Sequence, residues 1–224
     1  MNGLYSILLA LGGFLLGSIM FCKLIPQLVV HKNICELSDD GNPGAYNVFK
    51  HCGIKLGVVC LLLDILKGFL PVFIASLFLN TDSILFTFVL IAPVVGHALG
   101  MFNHFVGGKC ISTSFGVMIG LLPVSWIGLV SLAVLFVLFS TLFKIKSRNR
   151  RTVVVYALFA ITSCVPLLIL RLPYIAVSFL VIAMLPIVRI TFEMKKENKT
   201  SIEIVDDEDA LAEESESVVQ DLKL

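Results

Sequence analysis

The chain has 224 residues, 58% hydrophobic and only 15% charged, with a formal net charge of +1 and a mean hydropathy of +0.98. A soluble domain of this size carries about a quarter charged residues and less than half apolar ones. One globular core could not hide this much apolar surface, so a water-soluble enzyme is excluded and lipid is the expected solvent. Six scattered cysteines without a C-x-x-C pair argue against a zinc site or a disulfide framework. No metal, no cofactor and no nucleic acid are expected.

The first twenty residues, MNGLYSILLALGGFLLGSIM, lack the basic residues that open a signal peptide and exceed a signal core in length, so they read as a retained first helix. The apolar spans fall near residues 3–22, 54–79, 83–101, 114–122, 124–143, 152–170 and 173–192. The fourth and fifth spans share about thirty residues, too few for two full crossings at ~1.5 Å per residue. The piece SFGVMIGLL is therefore a candidate half-helix, tolerated only where protein covers its ends. The expectation is an all-α integral membrane protein of about seven transmembrane helices, six or seven being the range.

Lys and Arg near the helix ends set the orientation. With the N-terminus outside, the inner loops hold Lys23, Lys32, Lys50, Lys55, Lys109 and Lys144. The cluster Lys146, Arg148, Arg150 and Arg151 lies on the same side, as do Arg189, Lys195, Lys196 and Lys199, whereas the outer loops NTDS, LPVSW and LRLPY hold only Arg171. This places the C-terminus in the cytoplasm. Residues 1–199 form the polytopic membrane domain. Beyond them, SIEIVDDEDALAEESESVVQDLKL is acidic and has no aromatic residue, so a disordered cytoplasmic tail is expected for 200–224, with a protein partner as its possible purpose.

Three segments are unusual for a lipid-facing chain, and the topology brings all three to the cytoplasmic side. The loop ICELSDDGNPGAYNVFK holds Gly41, Asn42, Gly44, Asn47 and Lys50. Its glycines would let backbone N–H groups converge on an anion; the plainer reading is a turn-rich loop. In LLLDILKGF, Asp64 and Lys67 are three residues apart and share a helix face. Charges inside a crossing pair up, face the interior or mark a substrate path, so this pair reads either as a functional neighbourhood or as a salt bridge between helices. The third segment, GHALGMFNHFVGGKCISTSFG, sets Gly107 and Gly108 before Lys109, with Ser112 and Thr113 opening a helix. Glycines, a lysine, hydroxyls and a helix start together make an anion cradle. The spacing is not that of a Walker A loop. His97 and His104 are candidate general bases, against a plainer role as hydrogen-bonding spacers.

At these residues the chain resembles the bacterial acyl-phosphate:glycerol-3-phosphate acyltransferases, the PlsY family. DDGNPGAYNVFK at 39–50 is similar to that family's G-S-G-N-x-G-A-T-N-x-x-R, and LDILKG at 63–68 to L-D-x-x-K-G. GHALGMFNHFVGGKCIST at 96–113 fits G-H-x-F-P-x-F-L-x-F-K-G-G-K-G-V-A-T without a gap, and GSIMFCKLI is similar to G-S-I-P-F-G-x-L-I. The chain departs from the pattern at several positions. Asp39 stands for glycine, Asp40 for serine, Glu36 and Lys50 for arginine, Gly100 for proline, Val106 for lysine and Cys110 for glycine. In AMLPIVRI, Ala183 and Pro186 replace the family's histidine and asparagine.

The resemblance implies seven transmembrane helices in the cell inner membrane. It also implies acyl transfer from acyl phosphate to the 1-hydroxyl of glycerol-3-phosphate, with lysophosphatidate and phosphate as products, and neither an acyl-enzyme nor a metal. It assigns catalytic roles to Lys109 and Lys67, with Asp40 at the serine position. Asn42, Gly44, Asn47, Lys50, His97, Gly107, Gly108, Ser112 and Thr113 would bind substrate. Two new carboxylates beside an anion site would weaken a dianion's binding by roughly 1 kcal/mol or more each. A relative with an altered substrate, and a non-catalytic protein that recruits a partner through its acidic tail, therefore stay open as alternatives. A transporter fits less well, because the polar features crowd one face and no second half mirrors the first.

Overall fold

The computed structural model describes residues 2–143 and 145–195, so the acidic tail expected at 200–224 lies outside the described residues. Contacts divide the chain into two units, Met1–Arg189 and Ile190–Leu224; the core and the cavity described below lie in the first.

Every regular element among the described residues is helical. In chain order these are α1 (Asn2–Gly17), α2 (Phe21–Val30), α3 (Ile34–Leu37), α4 (Ala45–Cys52), α5 (Ile54–Phe78) and α6 (Ile84–Leu99). A 3-10 turn at Met101–Asn103 follows, then α7 (Ile111–Gly120), α8 (Ile127–Thr141) and α9 (Arg148–Ile169), and finally α10 (Pro173–Lys195). Among the described residues, four helices are long and apolar enough to cross a membrane: α5, α6 with the turn after it, α9 and α10. The pair α1 and α2, bent by 46°, makes a fifth if it counts as one span; α7 and α8 are apolar but shorter. Side chains such as Leu4, Leu8, Leu62, Phe88, Val134 and Leu168 point outward and exposed, which suits lipid and would be unfavourable in water.

The first apolar run is therefore not one straight helix over 3–22. It breaks after Gly17, where both the N–H and the hydroxyl of Ser18 bond the Phe14 carbonyl. One residue on, the Ile19 carbonyl accepts the Lys67 ammonium at 2.6 Å instead of a helical N–H. The short piece expected near 114–122 is α7, ten residues long. It packs closely against α5, since a Cβ on Gly116 would run into the Ile65 carbonyl and one on Gly68 into that of Thr113. The α1–α6 contact is built the same way: Gly17 faces the Pro93 carbonyl and Gly96 that of Phe14. Small residues let helices approach closely where lipid supplies no hydrophobic drive.

Aromatic side chains fill the core between these helices. Tyr156 and Phe159 of α9 are fully buried, and Phe159 packs on Phe179 of α10 at 5.5 Å between ring centres. Four buried polar side chains, Asn47, Asp64, His97 and Thr152, line a cavity bounded by the loop before α4, α4, α5, the α6–α7 connection and the start of α9.

Candidate active site

The loop expected to be turn-rich is ordered by one carboxylate. Asn33 caps α3 through the Cys35 N–H, and Gly41 reverses the chain with φ of +59°. Asp40 Oδ1 then accepts the Asn42 N–H at 3.3 Å and the Asn47 side-chain amide at 2.9 Å. That amide also donates to the Asn42 carbonyl at 2.9 Å. The loop thus folds around Asp40 and delivers Asn42, Gly44, Tyr46 and Asn47 to a cavity of about 350 Å³.

The second wall comes from the α6–α7 connection. Gly100 ends α6 at φ +59°, a conformation closed to the proline that the resembling pattern carries there. Gly107 lies against the Ala98 carbonyl and Gly108 against the His97 imidazole, with no room for a Cβ at either. Lys109 follows, and Cys110 precedes α7 at φ +62°, where the pattern has glycine. The Lys109 ammonium stands 2.6 Å from Asp40 Oδ2 and donates to Asn149 Oδ1 at 2.8 Å. Burial pushes the Asp40 carboxyl up, but it is outweighed by hydrogen bonds and charge from Lys109, with help from Asn47 and the Asn42 N–H. The net effect holds this carboxyl below its usual range.

The Asp64–Lys67 pair is of another kind. Its 2.8 Å bridge lies inside α5, with both side chains at most 2% exposed. Lys67 also bonds the Ile19 carbonyl, and Cys22 donates to Asp64 Oδ2 at 3.1 Å. Asp64 touches the cavity; Lys67 faces away, toward the break between α1 and α2.

The structure therefore brings Asp40, Asn42, Gly44, Asn47, His97, Lys109 and Ser112 onto one cavity. Lys67, Gly107 and Gly108 stand behind that lining, and Thr113 is fully buried. Gly107 offers its carbonyl to Arg189 at 3.0 Å. Lys50 lies outside the cavity and pairs with exposed Asp39 at 3.0 Å. His97 is buried, and its Nδ1 has no hydrogen-bond partner. Ala183 is buried where the resembling pattern has histidine. Among the described residues no group of three His, Cys, Asp or Glu side chains could hold a metal ion.

The sequence reading missed one wall. Arg148, Asn149, Arg151 and Thr152, from the first turns of α9, also line the cavity, and Arg148 lies over the Tyr46 ring at 3.7 Å. The arginines were visible only as part of a positive inner loop. A serine followed by arginines at helical spacing, with Ser147 capping α9, was the signal that could have found them. Leu61, Phe49, Ile111 and Phe136 make the remaining side apolar. A cavity with a cationic wall and an apolar wall accepts an amphiphile with an anionic end.

Known proteins give this geometry a context. A family model described as "Glycerol-3-phosphate acyltransferase" matches residues 7–198. A glycerol-3-phosphate acyltransferase of Lactococcus lactis subsp. cremoris (strain MG1363) is 35% identical over 158 residues, which are 70% of this chain and 72% of that protein. One from Hydrogenobaculum sp. (strain Y04AAS1) is 36% identical over 125 residues, 55% of this chain and 62% of its own length. The matched stretch thus spans less than two thirds of that relative. Among solved structures, PlsY (YgiH), an integral membrane glycerol 3-phosphate acyltransferase in its glycerol 3-phosphate form, superposes with a TM-score of 0.67 at 29% identity. That likeness covers 88% of this chain and 92% of that one. With a match over residues 7–198, this multi-pass membrane chain belongs to the glycerol-3-phosphate acyltransferase family.

Proposed function

We propose that this protein transfers the acyl group of an acyl phosphate to the 1-hydroxyl of glycerol-3-phosphate, releasing lysophosphatidate and inorganic phosphate. The observation that carries the reading is Lys109: an ammonium at the wall of a cavity whose other side is apolar, on a segment that fits the family pattern without a gap. In this reading the hydroxyl oxygen attacks the acyl carbonyl carbon, the bond from that carbon to the phosphate oxygen breaks, and phosphate leaves with the electron pair. The hydroxyl proton passes to the departing phosphate. With Asp40 bonded to Lys109 and its carboxyl held low, the phosphate dianion is the stronger base of the two. Lys109 would meet charge that develops on phosphate and carbonyl oxygens, while Gly107 and Gly108, implicated by the resemblance, would shape the loop behind it. Asn42, Gly44, Asn47, His97 and Ser112 would orient the two substrates, and Asp40 would hold Lys109 in place. Lys67, Lys50 and Thr113, implicated by the resemblance, would act from outside the cavity lining.

Counting α7 and α8 as crossings beside the five longer candidates gives seven, with the N-terminus outside and the C-terminus cytoplasmic. The concentration of Lys and Arg on one set of loops supports that orientation, in the inner membrane of a cell. A basic protein surface is the partner that the acidic segment 201–224 would fit.

The test is phosphate release from palmitoyl phosphate by the purified full chain, with and without glycerol-3-phosphate. Release that requires glycerol-3-phosphate and yields lysophosphatidate is expected. A folded sample that releases no phosphate under either condition would overturn the assignment.

A further inference from the structure

We infer that Arg148 and Arg151, on the first turn of α9, are the phosphate clamp of this cavity. The inference rests on the acyltransferase reading for the identity of its ligands, but the site itself follows from charge and geometry. The cavity lining carries three cationic side chains, Lys109, Arg148 and Arg151, and two carboxylates, Asp40 and Asp64. Asp40 is bridged to Lys109 and Asp64 to Lys67. Among the described residues no carboxylate pairs with either arginine. The positive charge left for a ligand therefore sits on α9, not on the glycine-rich loop that carries Lys109.

The two arginines are three residues apart on a helix, so their side chains share a face, and both reach the cavity. The Arg148 guanidinium spreads over the Tyr46 ring at 3.7 Å. Stacking fixes its plane and leaves the edge N–H groups for an acceptor. Arg151 Nε is buried without a hydrogen-bond partner, and a buried donor left unmatched is unfavourable unless something arrives to accept from it. Asn149 lies between them and takes a hydrogen bond from Lys109, tying the third cation to the same turn. Two planar forks beside a cavity suit the oxygens of a terminal phosphate group, which accepts from both at once. Such a group comes from either proposed substrate, the head of glycerol-3-phosphate or the phosphate of the acyl donor.

The experiment uses the full chain purified in detergent, with Arg148→Gln, Arg151→Gln and the conservative Arg151→Lys. Two readings are taken: KM and kcat against each substrate separately, and the thermal shift produced by inorganic phosphate alone. The Gln variants are expected to raise KM about tenfold or more for one substrate while kcat changes far less. The substrate whose KM moves is the one whose phosphate sits on α9. The shift with inorganic phosphate should disappear in the same variants. Arg151→Lys keeps the charge without the fork and should recover only part of the loss; should Arg151→Gln fail to fold, this variant and Arg148→Gln decide the matter. Unchanged KM values for both substrates, together with a wild-type phosphate shift, would overturn the clamp. If the unaltered chain shows no glycerol-3-phosphate-dependent turnover yet loses its phosphate shift in the Gln variants, the acyltransferase reading fails and the clamp stands.

Discussion

Two aspartate–lysine bridges of similar length do different work in this molecule. Asp64 and Lys67 meet at 2.8 Å within one helix, both at most 2% exposed, with only Asp64 touching the cavity. Asp40 and Lys109 meet at 2.6 Å across 69 residues of chain, at the wall of a cavity. The first pair is surrounded by further fixed partners, the Ile19 carbonyl and the Cys22 thiol, and it closes the break between α1 and α2 against α5. The second pair is flanked by Asn149 and by the open cavity. The same two side chains can therefore stabilise a fold or set up a site, and bridge length does not tell the cases apart. What surrounds the pair does.

The largest expected effect lies at the buried pair. Asp64→Ala leaves the Lys67 ammonium buried without its counter-charge, a change that typically destabilises by ~3–5 kcal/mol. Thermal unfolding in detergent, together with the yield of folded protein, measures it. Replacing both, as Asp64→Leu with Lys67→Met, should recover much of the loss, because neither charge is then stranded. An Asp64→Ala protein with unchanged melting but no activity would break the comparison and place this pair in the site.

Next comes Lys109→Ala. Here the expected loss is in turnover, by ~10²–10³-fold, the usual consequence of removing one stabiliser of transition-state charge. The melting temperature should fall by much less than for Asp64→Ala. A variant with near-normal kcat would remove Lys109 from the chemistry and leave it as a tether for the Asp40 loop.

How much of this could be read from sequence differs between the two bridges. The residues of both stood out at once, because a charge in an apolar span and a lysine after two glycines are local signals. That Lys67 faces the α1–α2 break was not legible. Hydropathy runs on without interruption through Ser18, Ile19 and Met20, and the break depends on a carbonyl taken by a lysine 48 residues away. The cavity's third wall was hidden for a related reason. Arg148 and Arg151 looked like part of a charged inner loop, and their place on the cavity shows only in contacts distant in sequence, such as that of Arg148 with Tyr46. Asp40 was legible as a departure from the family pattern, but its three acceptor contacts, which organise the loop, required coordinates.

Asp40→Ser sharpens the comparison through pH. The fold holds this carboxyl below its usual value, so the unfolded chain takes up the proton first as the solution is acidified. Its contribution is complete above the ordinary aspartate value near pH ~4 and is lost as pH falls through the lower folded-state value. Wild-type protein should therefore lose stability on the acid side more steeply than Asp40→Ser. At neutral pH the variant should be about 1–2 kcal/mol less stable, from the loss of a charge-assisted bond. Identical slopes for the two proteins below pH ~4 would mean that the bridge contributes nothing to the fold.

The smallest effect belongs to the third bridge, Lys50–Asp39, which shows what remains when the surroundings are removed. Its length is 3.0 Å, as good as the others, but its side chains are 44% and 80% exposed. Water and salt screen such a pair, and holding two flexible side chains together offsets most of the attraction, so exposed pairs contribute at most ~1 kcal/mol. Asp39→Ala should leave the melting temperature within about 0.5 kcal/mol equivalent of wild type and leave KM for both substrates unchanged. Lys50→Ala should match it in stability. If instead Lys50→Ala raised KM for either substrate while Asp39→Ala did not, Lys50 would leave Asp39 when substrate arrives, and the cavity's cationic wall would extend onto α4.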